Sequence, residues 1–218
     1  MVAMAVEAEK LARRYGRRWA LAGVTFDVPK GAVVMIAGPN GSGKSTLLRV
    51  LSTAIRPDGG RATVEGFDVV HQRDDIRQRS ALLSHDSYLY ESLSARENLE
   101  VLARLTRRSG PVSGPISLIA EVLERVGLSG RADDHVRTYS AGMRKRLSFA
   151  RVLLQKPEIA MLDEPFGQLD PAGFALVEEV VAELKKQGAT VLLATHQVDR
   201  VGRFADFGIT LEAGRIVG

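Results

Sequence analysis

The stretch GPNGSGKS, residues 38–45, leaves this chain fewer choices than any other. It follows the apolar run AVVMIAG at 32–38 and leads into an apolar helical pattern, Leu47, Leu48, Val50 and Leu51. Its pattern, G-x-x-x-x-G-K-[ST], has a physical meaning only between a strand and a helix. Gly38, Gly41 and Gly43 permit backbone conformations that a Cβ would block. The loop that runs from Gly38 through Pro39, Asn40, Gly41 and Ser42 to Gly43 can therefore turn its N–H groups inward around phosphate oxygens. The helix starting near Gly43 adds unpaired N–H groups and the positive end of its dipole. Lys44 can then reach the β- and γ-phosphates of a nucleotide, the Ser45 hydroxyl can ligate Mg²⁺, and Thr46 is placed for an α-phosphate.

Bulk properties narrow the setting. The 218 residues suffice for one sizeable core, which predicts a single domain. Apolar residues at 45% and charged residues at 26% place the chain among ordinary globular proteins. The net charge of +4 fits a phosphate ligand, nucleic acid or an acidic membrane surface without choosing among them. Basic residues cluster at Arg13, Arg14, Arg17 and Arg18 and at Arg144, Lys145 and Arg146, as solvated faces do. The absence of cysteine excludes disulfide staples and thiolate metal sites. No apolar run is long enough to cross a bilayer, and Glu7 and Glu9 interrupt the N-terminal apolar stretch, which argues against a signal peptide. The expected location is cytoplasmic, with any membrane role reached through a partner.

Strand and helix signals alternate, which predicts an α/β layered fold. Residues 32–38, 158–163 and 190–195 are continuous apolar runs expected of strands buried on both faces, and 81–84 reads as another. Residues 23–28 alternate, 61–66 reads as a short outer strand, and 207–217 reads as a hairpin closed by a glycine turn. The middle of the chain is helical. Ser94 with Glu97 three residues on forms a capping box ahead of Leu99, Leu102 and Leu105, and 116–128 and 140–155 are amphipathic. These patterns divide the chain into a core, 1–85 and 156–218, and a helical insert, 86–155, with a loop at 107–115.

Two carboxylates, Asp163 and Glu164, close the apolar run at 158–163. Alternation along a strand would send them in different directions. Asp163 reads as the metal-side residue and Glu164 as the base that orients or deprotonates an attacking water. A second anion-binding helix start follows from Ser140, Ala141 and Gly142, at the head of the helical pattern 140–155. One chain cannot easily bring that end to its own phosphate loop, whereas two chains arranged head to tail can, sealing ATP between them.

At this point the sequence resembles the ATP-binding cassette (ABC) proteins: Tyr139-Ser140-Ala141-Gly142-Met143 is similar to their LSGGQ signature. The resemblance implies a P-loop NTPase of the ABC ATPase type, a mixed sheet with an antiparallel β subdomain and an inserted helical subdomain. It implies that Tyr15 stacks on adenine, with Trp19 a weaker candidate. It implies that Asp170 is the acidic residue of a D-loop, Gly167 to Asp170, and that His196 is the switch histidine at the γ-phosphate. His71 and His135 have no such context and read as surface residues. ATP and Mg²⁺ are the implied cofactors. The implied partners are a second copy of the chain on ATP binding and integral-membrane permease subunits, with no nucleic acid. The protein would then lie on the inner face of the cell membrane, and Tyr88, Leu89, Tyr90 and Leu93 would serve either permease docking or local packing.

The sequence departs from the pattern in three places. Ala141 and Met143 replace a glycine and a glutamine of the signature, and Gly167 and Gln168 stand where Ser and Ala are common. His85 falls where the family has its Q-loop glutamine. That histidine, in LLSHDSYLYESLSARENL, is similar to the ATPase of the haem exporter of cytochrome c maturation. The expectation is therefore an exporter ATPase, with haem as one cargo. The alternatives are the ATPase of a drug or lipid exporter, or a soluble, non-transport ABC ATPase acting on nucleic acid or ribosomes. A P-loop kinase is disfavoured by the signature helix.

Overall fold

The computed structural model describes residues 3–84, 88–105 and 115–217. The chain forms two compact units, residues 1–84, 157–165 and 181–218 in the first and residues 85–156 and 166–180 in the second.

The first unit holds two sheets. An antiparallel sheet contains β1 (Met4–Tyr15), β2 (Arg18–Pro29), β4 (Gly59–Val64) and the two-residue β5 (Phe67–Asp68), in the order β2-β1-β4-β5. The other sheet is mixed, in the order β10-β9-β3-β8-β7-β6, with β3 (Val33–Ala37), β6 (Ser80–Leu83), β7 (Ile159–Asp163), β8 (Thr190–Ala194), β9 (Phe207–Glu212) and β10 (Arg215–Ile216). All its pairings are parallel except β9 with β10. Every residue of β7 and β8 is buried, as continuous apolar runs require of a strand covered on both faces. The helix α1 (Lys44–Leu51) packs on β7 and β8 of the mixed sheet and on β2 and β4 of the antiparallel one. Its Leu47, Leu48, Val50 and Leu51 join Leu11, Leu21, Val28, Ile36 and Met161 in one core. Two short helices, α2 (Arg73–Arg79) and α7 (Val198–Val201), complete this unit.

The strand β1 has no counterpart among the sequence expectations. Its residues, MAVEAEKLARRY, are mostly good helix formers. Pairing with β2 and β4 overrides that preference, and a register shift between Ala8 and Leu11, at Lys10 with φ 49°, keeps Val6, Ala8 and Leu11 buried despite broken alternation. β4 lies between β1 and β5, so residues 61–66 are not the outer strand expected of them.

The second unit is helical, with α3 (Ala95–Leu105), α4 (Pro115–Arg125) and α5 (Ala141–Gln155) packed on one another. The capping box forms as drawn: the Ser94 N–H donates to Glu97 Oε2 at 2.7 Å and the Glu97 N–H to Ser94 Oγ at 3.2 Å. The Ser94 N–H above all, and then the Ser94 side chain, hold the Glu97 carboxyl below its ordinary pKa. The unit also takes residues 166–180, beyond the helical segment expected from the sequence. They carry the first ten residues of α6 (Pro171–Lys186), and Phe166 meets Phe174 edge to face with ring centroids 5.8 Å apart. The loop expected at 107–115 lies almost wholly outside the described residues.

Candidate nucleotide site

Three neighbouring parallel strands end together. In the register of β3, β8 and β7, Ile36 stands opposite Ala194 and Ala194 opposite Asp163, so one row crosses all three strands. The chain leaves this row into the glycine loop after β3, into Glu164 after β7, and into Thr195 and His196 after β8. The carboxyl edge of such a sheet, where strand order jumps, is where open α/β sheets take their ligands.

The loop has no room for side chains at two positions. A Cβ on Gly38, at φ 141°, would fall 2.1 Å from the Leu211 carbonyl oxygen, and one on Gly43, at φ 113°, would fall 2.3 Å from that of Ala20. Backbone of β9 and β2 therefore walls the loop closely. Ser42 donates its N–H to the Pro39 carbonyl at 3.2 Å. The first bond of α1 runs from the Leu47 N–H to the Gly43 carbonyl at 2.8 Å, which leaves the N–H groups of the preceding turn for a ligand. Lys44, 6% exposed, donates from Nζ to the carbonyls of Gly38 at 2.8 Å and Pro39 at 3.2 Å. A buried ammonium, a rim of free donors and a helix start together form an anion cradle. Ser45 is exposed and Thr46 half-buried on the same turn, while Pro39, Asn40 and Gly41 are exposed.

Asp163 is 2% exposed at the end of β7. The pleat does not carry on from Asp163 to Glu164. β7 stops at Asp163, and Glu164, just ahead of Pro165, turns into the left-handed region at φ 44° while its N–H still reaches the Ala194 carbonyl at 2.9 Å. For a residue other than glycine that conformation costs ~1–2 kcal/mol, and such strain gathers at functional sites. The Glu164 Oε2 atom lies 2.9 Å from Nδ1 of His196. Thr195 Oγ1 lies 3.4 Å from the same oxygen and accepts the Gln197 N–H at 3.0 Å. Thr195 is a member of this group that motif reading passes over; its only sequence signal is its place at a strand end beside His196.

The β1–β2 hairpin separates the two aromatic candidates. Tyr15 pairs with Arg18 and Arg14 with Trp19. Paired residues share a face and successive ones alternate, so Tyr15 and Arg18 lie on one face and Trp19 on the other. An Arg18 guanidinium nitrogen lies 3.4 Å from the Gly41 carbonyl oxygen, which marks the loop side as the Tyr15 side. Both rings are 48% exposed and each carries an arginine, Arg13 at 5.1 Å from the Tyr15 ring and Arg14 at 5.8 Å from that of Trp19.

The second unit holds the other two expected groups. Ser140 caps α5 and accepts the Met143 N–H at 3.2 Å, followed by Ala141 and Gly142 in the first turn. A Cβ on Gly142 would approach the Gln168 carbonyl to 3.1 Å. Asp170 accepts the Gly173 N–H at 2.8 Å and faces Arg146 at 3.3 Å; the first of these above all holds its carboxyl below the ordinary range. His85 lies outside the described residues. Among the remaining histidines, His71 and His135 are exposed, and His135 meets the Ser92 carbonyl at 2.8 Å.

Comparison with known proteins agrees with this geometry. Residues 21–167 match the family described as ABC transporter. The chain is 41% identical over 221 residues to the daunorubicin resistance ATP-binding protein DrrA3 of Streptomyces coeruleorubidus, covering all of this chain and 68% of the relative. It is 37% identical over 213 residues to the daunorubicin/doxorubicin resistance ATP-binding protein DrrA of Streptomyces peucetius, covering 98% of this chain and 64% of the relative. The chain thus spans about two thirds of the length of these proteins. Among solved structures, the dimeric ATP-binding cassette MJ0796 bound to ADP and Pi superposes with a TM-score of 0.89 at 26% identity, over 98% of this chain and 97% of that one. The relatives carry the names of drug-resistance proteins, so the haem-exporter resemblance drawn from the short segment around His85 is not supported. A single substituted position in one loop is a narrow basis for a cargo, and identity over the whole chain outweighs it. The order of motifs, the strand-end site and these matches agree that the chain belongs to the ABC transporter family, as an ATP-hydrolysing cassette.

Proposed function

We propose that this chain is the energy-coupling subunit of a membrane ABC exporter whose cargo is a drug-like or antibiotic molecule. In this reading two copies close on ATP, hydrolyse it and drive integral-membrane permease subunits from the inner face of the cell membrane. Among the described residues no helix is long and apolar enough to cross a membrane, and in this reading the permease subunits supply the path for the cargo. The names of the relatives support the cargo class. The observation that carries the reading is the convergence of the glycine loop, Asp163, Glu164 and His196 on one edge of the sheet, with Glu164 and His196 2.9 Å apart.

The chemistry follows from that edge. The loop from Gly38 to Thr46 holds the triphosphate and Lys44 neutralises its outer oxygens, while Tyr15 supports the adenine. Among the described residues no cluster of three or more His, Asp or Glu forms a cation cage. Mg²⁺ is ordinarily held by one or two carboxylates together with substrate phosphates, and the Ser45 hydroxyl with the buried Asp163 fits that set. Bound there, it would supply positive charge to the triphosphate. Glu164 orients a water and takes its proton as the water oxygen bonds to the γ-phosphorus. The bond from that phosphorus to the bridging oxygen breaks, and ADP carries the electron pair. His196 holds the Glu164 carboxylate at its Nδ1 side and offers its ring to the γ-phosphate. Ser140, Ala141 and Gly142 of the second copy close the site from the other side, beside the partner copy's D-loop at Asp170.

Glu164→Gln tests this directly. It should keep ATP binding, trap a nucleotide-bound dimer detectable by size-exclusion chromatography, and lower hydrolysis by ~10²–10⁴, the usual worth of a positioned base. Hydrolysis at the parental rate would remove Glu164 from the reaction.

A further inference from the structure

The turn that closes the hairpin β9–β10, Ala213 and Gly214 with φ 47° and 78°, is bonded to two other elements at once. The Gly214 N–H donates to the Ser42 carbonyl at 2.9 Å, and the Gly214 carbonyl accepts the Ala22 N–H of β2 at 2.8 Å. The hairpin also supplies, through Leu211, the backbone oxygen that leaves Gly38 no space for a Cβ. The phosphate loop is thus gripped by a segment far from it in sequence, and the grip falls on one peptide unit, Ser42–Gly43.

That unit has a fixed internal geometry. The peptide bond is trans and planar, so its carbonyl and its N–H point to opposite sides. With the Ser42 carbonyl held toward Gly214, the Gly43 N–H is turned away from the hairpin. It has no protein acceptor among the described residues, and it precedes the free N–H groups of Lys44, Ser45 and Thr46 in the cradle. We propose that Gly214 is a positioning residue for the phosphate cradle: by fixing the Ser42 carbonyl, its N–H aims the Gly43 N–H at the phosphates of the nucleotide. Gly214 itself touches no nucleotide. The inference rests on the ATPase reading above and adds to it the glycine of the β9–β10 turn, which lies outside the nucleotide-binding motifs.

Two variants of the whole chain and one control test it, with Mg·ATP affinity and thermal midpoint measured for each. In Gly214→Ala the new Cβ would stand 2.9 Å from the Ala20 carbonyl oxygen and 3.3 Å from the Ala22 nitrogen, so the turn must lift off β2 and off Ser42. In the second variant the Gly214 amide is replaced by an ester, through ligation of a synthetic C-terminal segment, which removes the N–H and adds no atom that clashes. The control is Gly188→Ala, at φ 83° with nothing within 4 Å of the new Cβ, which imposes backbone strain alone. Both Gly214 variants should weaken Mg·ATP binding about 10-fold, the range expected for a hydrogen bond that orders a charged-ligand contact. Gly188→Ala should lower the midpoint and leave the affinity within twofold of the parent. An ester variant that binds Mg·ATP as the parent does, or a control that loses as much affinity as the Gly214 variants, would overturn the role of Gly214 while leaving the ATPase reading intact. A parent chain that does not bind Mg·ATP would overturn both.

Discussion

The strand-end groups of the first unit and the helix-cap groups of the second are held by different physics. Asp163, 2% exposed, ends β7, whose residues are all buried, and Lys44, 6% exposed, opens α1, whose Leu47, Leu48, Val50 and Leu51 enter the core. Ser140 and Asp170 are exposed, and each is held chiefly by an N–H at the start of its own helix, from Met143 and from Gly173. The first group inherits its rigidity from the packed core, where displacement of a backbone must disturb many contacts. The second depends on single local bonds within its own helix start. In the proposed reading, the groups that hold phosphates in fixed geometry are those built on the packed core, and the groups offered to a second copy are those built on local bonds.

The sharpest way to break this comparison is at Lys44. Its ammonium is held by the Gly38 and Pro39 carbonyls, which fixes where it lies in the loop. Lys44→Ala should cut Mg·ATP affinity by ~10²-fold, as expected for the loss of a charge-assisted contact of up to ~3 kcal/mol. A fluorescent-nucleotide titration measures it, and a change under threefold would mean that the loop does not grip the triphosphate through this residue.

A smaller effect is expected at Ser140. Ser140→Ala removes the cap of α5, which should lower stability by ~1 kcal/mol. If the cap also meets the nucleotide of a second copy, hydrolysis should fall by about 10-fold while the affinity of the isolated chain for Mg·ATP stays at the parental value. Equal losses in binding by Ser140→Ala and Lys44→Ala would erase the distinction between the two groups.

The two groups were not equally legible in the sequence. The glycine loop, the acid pair and the buried strands carry their signals locally: an apolar run of strand length followed by glycine, or by two acids, states where the run ends. The capping box at Ser94 and the cap at Ser140 are legible for the same reason, since a cap is a contact between residues three apart. What stays hidden is long-range. β1 is written in helix-forming residues and becomes a strand only through its neighbours β2 and β4. The left-handed turn at Glu164 ends the pleat between the two acids. Arg18 and Gly214 touch the loop from 23 or more residues away; the glycine turn at 207–217 is legible locally, but its contact with the loop is not.

The smallest predicted effect compares the two ends of one strand. β3 ends at the cradle, and it begins at Val33, whose N–H donates to Asp206 Oδ2 at 2.9 Å. Lys185 Nζ lies 2.6 Å and 2.9 Å from the two oxygens of the same carboxylate. The Lys185 bond above all, and then the Val33 bond, hold the Asp206 carboxyl below its ordinary pKa. A carboxyl lowered in the folded state contributes stability above its unfolded pKa, ~3.9, and loses it as pH falls through the folded value. Lys185 is 44% and Asp206 35% exposed, so solvent reduces the ion pair to ~1 kcal/mol or less. Asp206→Asn should therefore lower the thermal midpoint by a few degrees at pH 7 and progressively less below pH ~4, with Mg·ATP affinity unchanged. A fall in affinity comparable to that of Gly214→Ala would mean that the far end of β3 positions the cradle too, and that burial alone does not separate the structural end of this strand from its functional one.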